Sequence, residues 1–255
     1  MRDSALLLDL TSAPFPGDPV IAPQPARPYA DEVAIEPGRL RIALVDHPVA
    51  PGVAVDAEVL AALADAARLC EDLGHIVIPS DWPELPVMPA AAMGVVTSVN
   101  IAAAIDDRLE QLGRAEQDDD LDGLMRMIVN QGRAMSARDY VHAVSNLHAI
   151  GRAVAAWMSD FDVVLTPTLA IVPPKIGVLD PMRPIAELSP VLGQMAGFLS
   201  IFNLTGQPAM SVPLATSSEG LPIGIHFAGH FGDESALLRL AGQLERARPW
   251  TGLAI

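Results

Sequence analysis

Lysine is almost missing from this chain: its basic residues are 15 arginines and the single Lys175, in 255 positions. A lysine amine works as a base only when burial or a neighbouring cation lowers its pKa. Lys175 sits in a Pro-Pro-Lys loop, where an amine stays solvated and protonated, so hydrolase mechanisms that use a lysine base have one poor candidate. Cysteine is as scarce. Cys70 alone excludes an intrachain disulfide and a cysteine metal site, and fits a reducing compartment such as the cytoplasm. Basic charge is outnumbered, 16 Lys and Arg against 31 Asp and Glu, for a formal charge of −15. Such a surface repels phosphate backbones and anionic membranes, so neither nucleic acid nor a membrane is expected as a partner. Aromatics are 4% of residues, yet hydrophobic residues reach 51%, mostly Ala, Leu, Val and Ile, which is the composition of a folded α/β or α-rich globule.

The longest uncharged run, Val87 to Ile105, is nearly long enough to span a bilayer. It is rich in Ala and holds Pro89, Gly94, Thr97, Ser98 and Asn100, so its transfer energy is weak and a buried helix is expected. The opening MRDSALLLDL has one Arg, a short helical stripe and no small-residue cleavage site, and reads poorly as a signal peptide.

Arg39 to Asp46 (RLRIALVD) and His75 to Pro79 (HIVIP) read as strands, with a helix from Ala57 to Leu73 between them, capped by Asp56 and closed by Gly74. Strand, helix, strand at this spacing predicts a parallel βαβ unit. The linker DHPVAPGVAVD has no Gly-rich fingerprint, so a dinucleotide site there is unsupported. Pro14 to Pro28 is dense in proline and is expected to run extended as a connector. Further helices are expected over Ser4–Leu10, Pro89–Leu112, Leu121–Gln131, Ala137–Ser159 and Ile185–Ile201. Ser136 and Asp139 mark a capping box, and Asp233 begins a last helix to Ala247. Phe161–Pro167 reads as a buried strand, and Ala209–Ala215 with Ile223–Ala228 as a late hairpin. The whole predicts an α/β fold with a mixed β-sheet flanked by helices, in one domain over residues 1–255.

Asp118, Asp120, Asp122 and Gly123 match the first half of a calcium loop, but Val129 stands where the bidentate Glu belongs, which removes the site. The histidines do not cluster at metal spacing; His142 and His148 fall on different faces of one helix. His226, in a strand whose neighbours face the other way, lines a cleft or meets solvent. Ser211, in AMSVP, lacks the G-x-S-x-G elbow of an exposed nucleophile.

The segments RDSALLLDL, PGDPVIAPQPARPYADEV and GRLRIALV are colinear with FDVVLTPTLAIVPPKIG and with FNLTGQPAMSVPLATSSEGLPIGIHFAGHFGDESALLRLAGQLERARPW. Together they resemble the amidase signature enzymes, as the C-terminal portion of their fold. His226 and His230 stand where Gln and Arg are more frequent in that family. The resemblance implies hydrolysis of a carboxamide C–N bond without metal or organic cofactor. It implies a nucleophilic serine, a bridging serine and a buried lysine, with an oxyanion hole from a Gly/Ser-rich loop. No Gly-Gly-Ser-Ser-Gly-Gly stretch is present, and none of these roles can be carried onto a position here. The catalytic set is therefore none. Pocket-lining residues are expected at strand ends: Thr166, Pro167 and Thr168 in one segment, Asn203, Gly206 and Gln207 in another.

The expected function is the C-terminal part of an amidase, inactive alone, acting in the complete enzyme on a small-molecule amide; a homodimer is open. The alternative is a non-catalytic binding protein or complementing partner of a separate N-terminal half. A third reading is an independent hydrolase using Ser211 or His226. Genomic sequence upstream is expected to encode, in frame, a Gly/Ser-rich loop and a lysine; an upstream stop codon would sink the first reading.

Overall fold

In the computed structural model, which describes residues 1–250, the chain begins with helix α1 (Arg2–Thr11). Its Asp9 carboxylate accepts from the backbone N–H groups of Tyr29 and Ala30, at 2.6 and 2.9 Å, and so supplies the start of α2 (Tyr29–Glu32). This short helix was not expected; its cap comes from α1 rather than from a residue beside it. Between them the Pro-rich connector carries no regular structure and is mostly exposed.

The expected βαβ unit forms. β1 (Arg41–Leu44), α3 (Ala57–Asp72) and β2 (Ile76–Pro79) place the two strands parallel, with Ile42 opposite Val77. Gly74, at φ +93°, closes α3, in the left-handed region that glycine enters without steric cost. Asp56 stands before α3, but its side chain does not cap it. The carboxylate instead accepts from Val172 N–H at 3.3 Å, tying the helix start to the loop after the next strand.

Three helices follow: α4 (Pro89–Leu112), α5 (Gly123–Ala134) and α6 (Ala137–Met158). The Ser136–Asp139 capping box is present. Asp122 caps α5 through Met125 N–H at 2.8 Å. Asp120 is engaged by both guanidinium nitrogens of Arg114 at 2.7 and 2.8 Å, which holds its carboxyl down at about 2. Two of the three aspartates of the half-matched calcium loop are thus committed to local structure. α4 is long and apolar enough to cross a bilayer. The expectation of a buried helix is only partly met: Pro89, Ala92, Ser98 and Ala102 are buried, and the rest of its surface is partly or fully exposed.

β3 (Val163–Pro167) is buried throughout. The single helix expected over Ile185–Ile201 is two, α7 (Ile185–Ala196) and α8 (Ser200–Thr205). They part at Gly197, where an added Cβ would lie 2.9 Å from Pro48. β4 (Ala209–Thr216), β5 (Pro222–Gly229) and α9 (Glu234–Ala247) complete the described chain. The last five positions of the domain expected over 1–255 lie outside the described residues.

The sheet order is β2-β1-β3-β5-β4, parallel through β1 and antiparallel from β3 to β5 to β4. Alternation along each strand divides its side chains between two cores. On one face Ile42, Leu165, Ile225 and Phe227 meet Leu63 of α3 and Leu240 of α9. Cys70 belongs to this core, and burial pushes its thiol up to about 12, so it acts as a small apolar side chain. On the other face Ala43, Val164 and Ala228 meet Ile150, Val154 and Met158 of α6 and Phe202 of α8.

Helices α4 and α5 approach closely because Gly132 has no side chain: a Cβ there would overlap the Ser98 carbonyl and sit 2.8 Å from the Ala102 methyl. Gly132→Ala should therefore destabilise the protein by about 1–3 kcal/mol. Gly151→Ala, inside α6 where an added Cβ meets nothing within 4 Å, should stabilise it by about 0.5–1 kcal/mol. Chemical unfolding of the two variants checks the opposite signs.

Candidate functional site

The carboxyl end of β3 is where the sheet turns polar. Val163, Val164 and Leu165 give way to Thr166, Pro167 and Thr168, and the chain leaves the sheet into a loop. That loop is fastened at its start: Thr168 N–H donates to Gly224 O at 3.1 Å, and Ala170 N–H to Gln194 O at 3.0 Å. β5 and β4 bring their own polar residues to the same face. Thr166 is paired with His226, and His226 with Ser211, so the three share one side of the sheet.

Two residues further along β5, Gly224 opens a gap in the row. The hydroxyls of Thr168 and Ser211 meet across it at 2.6 Å. A Cβ on Gly224 would stand 2.5 Å from the Ser211 oxygen and 2.7 Å from the Thr168 oxygen. Glycine inside a strand commonly marks such a close approach. Beside this pair lies a cavity of about 270 Å³, walled by Leu169 and Ile171 of the loop, Pro213 of β4 and Ile223 of β5. No charged side chain lines it.

His226 lies beneath, 3% exposed, its ring 5.2 Å from that of Phe202. It therefore does not meet solvent, which corrects that expectation, and it is not among the residues lining this cavity. The Thr166 hydroxyl donates its one proton to Pro167 O at 2.9 Å. The same hydroxyl lies 3.2 Å from His226 Nδ1 and so engages the ring. Burial pushes this imidazole down to about 4, so it is neutral at pH 7.

Of the expected pocket residues, only Thr168 lines this cavity. Thr166 and Pro167 are buried beneath it in β3. Asn203 is exposed on α8, and Gln207 is buried with its side-chain amide against the Thr205 hydroxyl. Gly206 closes α8 at φ +76° and faces the Phe231 ring. The Asn203–Gln207 segment thus lies at the amino end of β4, and the structure does not join it to the Thr168 cavity. Ser211 and Gly224 were not expected at a pocket. The signal that could have found them is hairpin register, which sets Ser211 opposite His226 and a strand glycine two residues before it.

Ser211 has Thr168 as its only side-chain hydrogen-bond partner among the described residues. A nucleophilic serine needs a base within hydrogen-bond reach, and the His226 ring is engaged with Thr166 instead. Lys175 is exposed on its loop. His142 and His148 are exposed on α6, and His230 contacts Phe161 O at 2.8 Å.

The comparisons with known proteins agree along the length of the chain. The family model described as Amidase matches residues 1–238. The 6-aminohexanoate-cyclic-dimer hydrolase of Paenarthrobacter ureafaciens is 34% identical over 267 aligned residues, covering 98% of this chain and 52% of that protein. A putative amidase, AmiB2, of Mycobacterium tuberculosis is 33% identical, covering 98% and 51%. The solved 6-aminohexanoate cyclic dimer hydrolase, complexed with substrate, superposes with a TM-score of 0.88 at 32% identity, over 98% of this chain and 53% of that one. A bacterial aryl acylamidase of the amidase signature family shares the fold, with a TM-score of 0.79 at 20% identity. The chain spans about half the length of the curated relatives it matches.

The buried imidazole makes stability depend on pH. In the unfolded chain His226 titrates near 6.5; in the fold it titrates near 4. Between those values the unfolded state binds the extra proton, so this contribution is complete above about pH 6.5 and is lost as pH falls toward 4. From about pH 7 to about pH 5 the loss is roughly 2 kcal/mol. Urea unfolding at both pH values should show that His226→Gln loses less stability than the parent by about this amount. An equal loss in both proteins would refute it.

Proposed function

The chain belongs to the amidase signature family, and from that premise we propose that it is the C-terminal part of a hydrolase that cleaves carboxamide C–N bonds and is inactive alone. One observation carries the reading. A chain matched over 98% of its length spans only 52% of its relative; the cavity at the end of β3 accords with it, offering hydroxyls without a base.

In the complete enzyme, hydrolysis adds water across the C–N bond to give a carboxylic acid and an amine. The catalytic serines, lysine and oxyanion-binding amides implied by the family resemblance come from the half not represented here. The half present supplies the sheet, the loop after β3 and a hydroxyl pair, Thr168 and Ser211, able to donate to a substrate carbonyl at the mouth of an apolar cavity. A cavity without charged lining suits an uncharged amide, because an ion moved there would lose hydration without a partner. The relatives named for a cyclic dimer of 6-aminohexanoate support an aliphatic amide of that class.

The second reading, a complementing partner made as a separate chain, is favoured by one feature: helices of this chain itself cover both faces of the sheet. A polypeptide with two closed cores has what it needs to fold apart from its other half.

The purified chain should release no amine from 6-aminohexanoate cyclic dimer above the buffer rate. Ser211→Ala should leave that rate unchanged. Turnover by the chain alone that disappears in Ser211→Ala would replace this reading with that of an independent serine hydrolase.

A further inference from the structure

A second cavity, of about 230 Å³, lies between the amino half of α4 and the first turns of α6, and it shares no lining residue with the Thr168 cavity. Its lining divides by chemistry. Val87, just before α4, Ala91 and Val95 on that helix, and Met135 from the link between α5 and α6 are apolar. The α6 contribution is polar: Asp139, His142 and Asn146, whose spacing of three and then four puts them on one stripe of the helix. These three groups have bonding capacity to spare. Asp139 takes the N–H and the hydroxyl of Ser136, at 2.9 and 2.6 Å, on the single oxygen Oδ2. Its Oδ1 accepts nothing among the described residues. His142 Nε2 accepts from Arg138 Nε–H at 3.3 Å, which leaves the proton of the neutral ring on Nδ1. The half-buried Asn146 amide makes no hydrogen bond among the described residues. An acceptor, a donor and a group that is both thus border an apolar slot.

We propose that this cavity binds a small, uncharged aliphatic carboxamide, its alkyl chain against Val87, Ala91 and Val95 and its amide group against the α6 stripe. Charge selects the ligand class. An anion would meet the Asp139 carboxylate, which its hydrogen bonds from Ser136 hold below the usual carboxylate range and so keep ionised. A cation would meet the amino ends of α4 and α6, where the helix dipoles are positive, and α4 starts without a side-chain cap. A neutral amide avoids both penalties. Its C=O can accept from His142 or Asn146, and its N–H can donate to Asp139 or Asn146. The volume admits only a short chain, since it lies below the roughly 300–1,000 Å³ of pockets for drug-sized ligands. The reading above puts an amide at Thr168, and this cavity adds a second point of recognition. Its use in hydrolysis rests on that reading; the binding itself does not.

The test titrates the purified 255-residue chain with hexanamide, hexanoate and hexylamine at pH 7 and follows methyl and side-chain amide NMR signals. Hexanamide should bind saturably, with a Kd on the order of millimolar. It should shift the Ala91 and Val95 methyls and the Asn146 amide, and bind at least about fivefold more tightly than either charged probe. Asn146→Leu, which removes no hydrogen bond of the fold, should weaken hexanamide binding about five- to tenfold. Ala91→Trp, at an exposed position of the lining, should fill the slot and abolish it. The probe comparison on the parent chain needs neither variant. No saturable shift at these residues overturns the site. Shifts confined to Leu169 and Ile171 assign the binding to the Thr168 cavity, which also overturns it while leaving the proposed function intact. Hexanoate or hexylamine bound as tightly as hexanamide overturns the ligand class. Amide turnover by the chain alone would sink the half-enzyme reading separately, and the binding result would stand on its own.

Discussion

Everything else in this molecule is placed by β3. Its five residues are buried; it pairs parallel with β1 on one side and antiparallel with β5 on the other. A strand in that position is paired along both edges and covered on both faces, so its register fixes the register of its neighbours. Through β1 it sets the βαβ unit and α3; through β5 it sets the hairpin and α9. The polar residues at its carboxyl end are carried to one place for the same reason. Thr166 must face His226, and Thr168 must leave the sheet beside Gly224.

The two sheet faces then play different parts. One is apolar from end to end, packed by α3 and α9. The other is apolar only under α6 and α8 and becomes polar toward Thr166, His226 and Ser211. Burying Thr166 and His226 is tolerated because each is bonded, His226 to Thr166 and Thr166 to Pro167 O, while the exposed Ser211 bonds to Thr168 at the cavity. An imidazole held this way, with burial opposing its protonation, packs in its neutral form with a hydrogen bond to Thr166. His75 is bonded in a similar manner. Leu40 N–H donates to its Nδ1 at 3.1 Å, so Nε2 carries the proton toward Gln243 Oε1 at 2.8 Å.

Elements with a local cause were legible. α4 has Pro89 at its first turn and Gly113 past its end in the left-handed region, and its expected bounds are the observed ones. The capping box fixed the start of α6 in the same way. Elements caused at a distance were not legible. α2 is capped by Asp9, twenty positions away in sequence; α7 and α8 part where Gly197 meets Pro48; Asp56 caps nothing because Val172 takes its carboxylate. The pocket fell between these cases. The Thr-Pro-Thr segment was expected because strand ends gather ligands in α/β sheets, and of its residues only Thr168 lines the cavity. Asn203, Gly206 and Gln207 followed from the same rule, but they precede β4, at its amino end.

By itself the sequence determined the family, the mixed sheet, the order of its main elements and the lack of a lysine base, because residue identity and local periodicity carry these. It also showed that Ser211, in AMSVP, lacks a nucleophile elbow. Only the tertiary structure decided that Phe202–Thr205 is helical and that His226 is buried. It also decided that Ser211 touches Thr168 and that β4 is the long, uncharged edge of the sheet. Those facts depend on which strands lie side by side, and pairing between distant segments is set by the packing of the whole chain rather than by any one stretch of it.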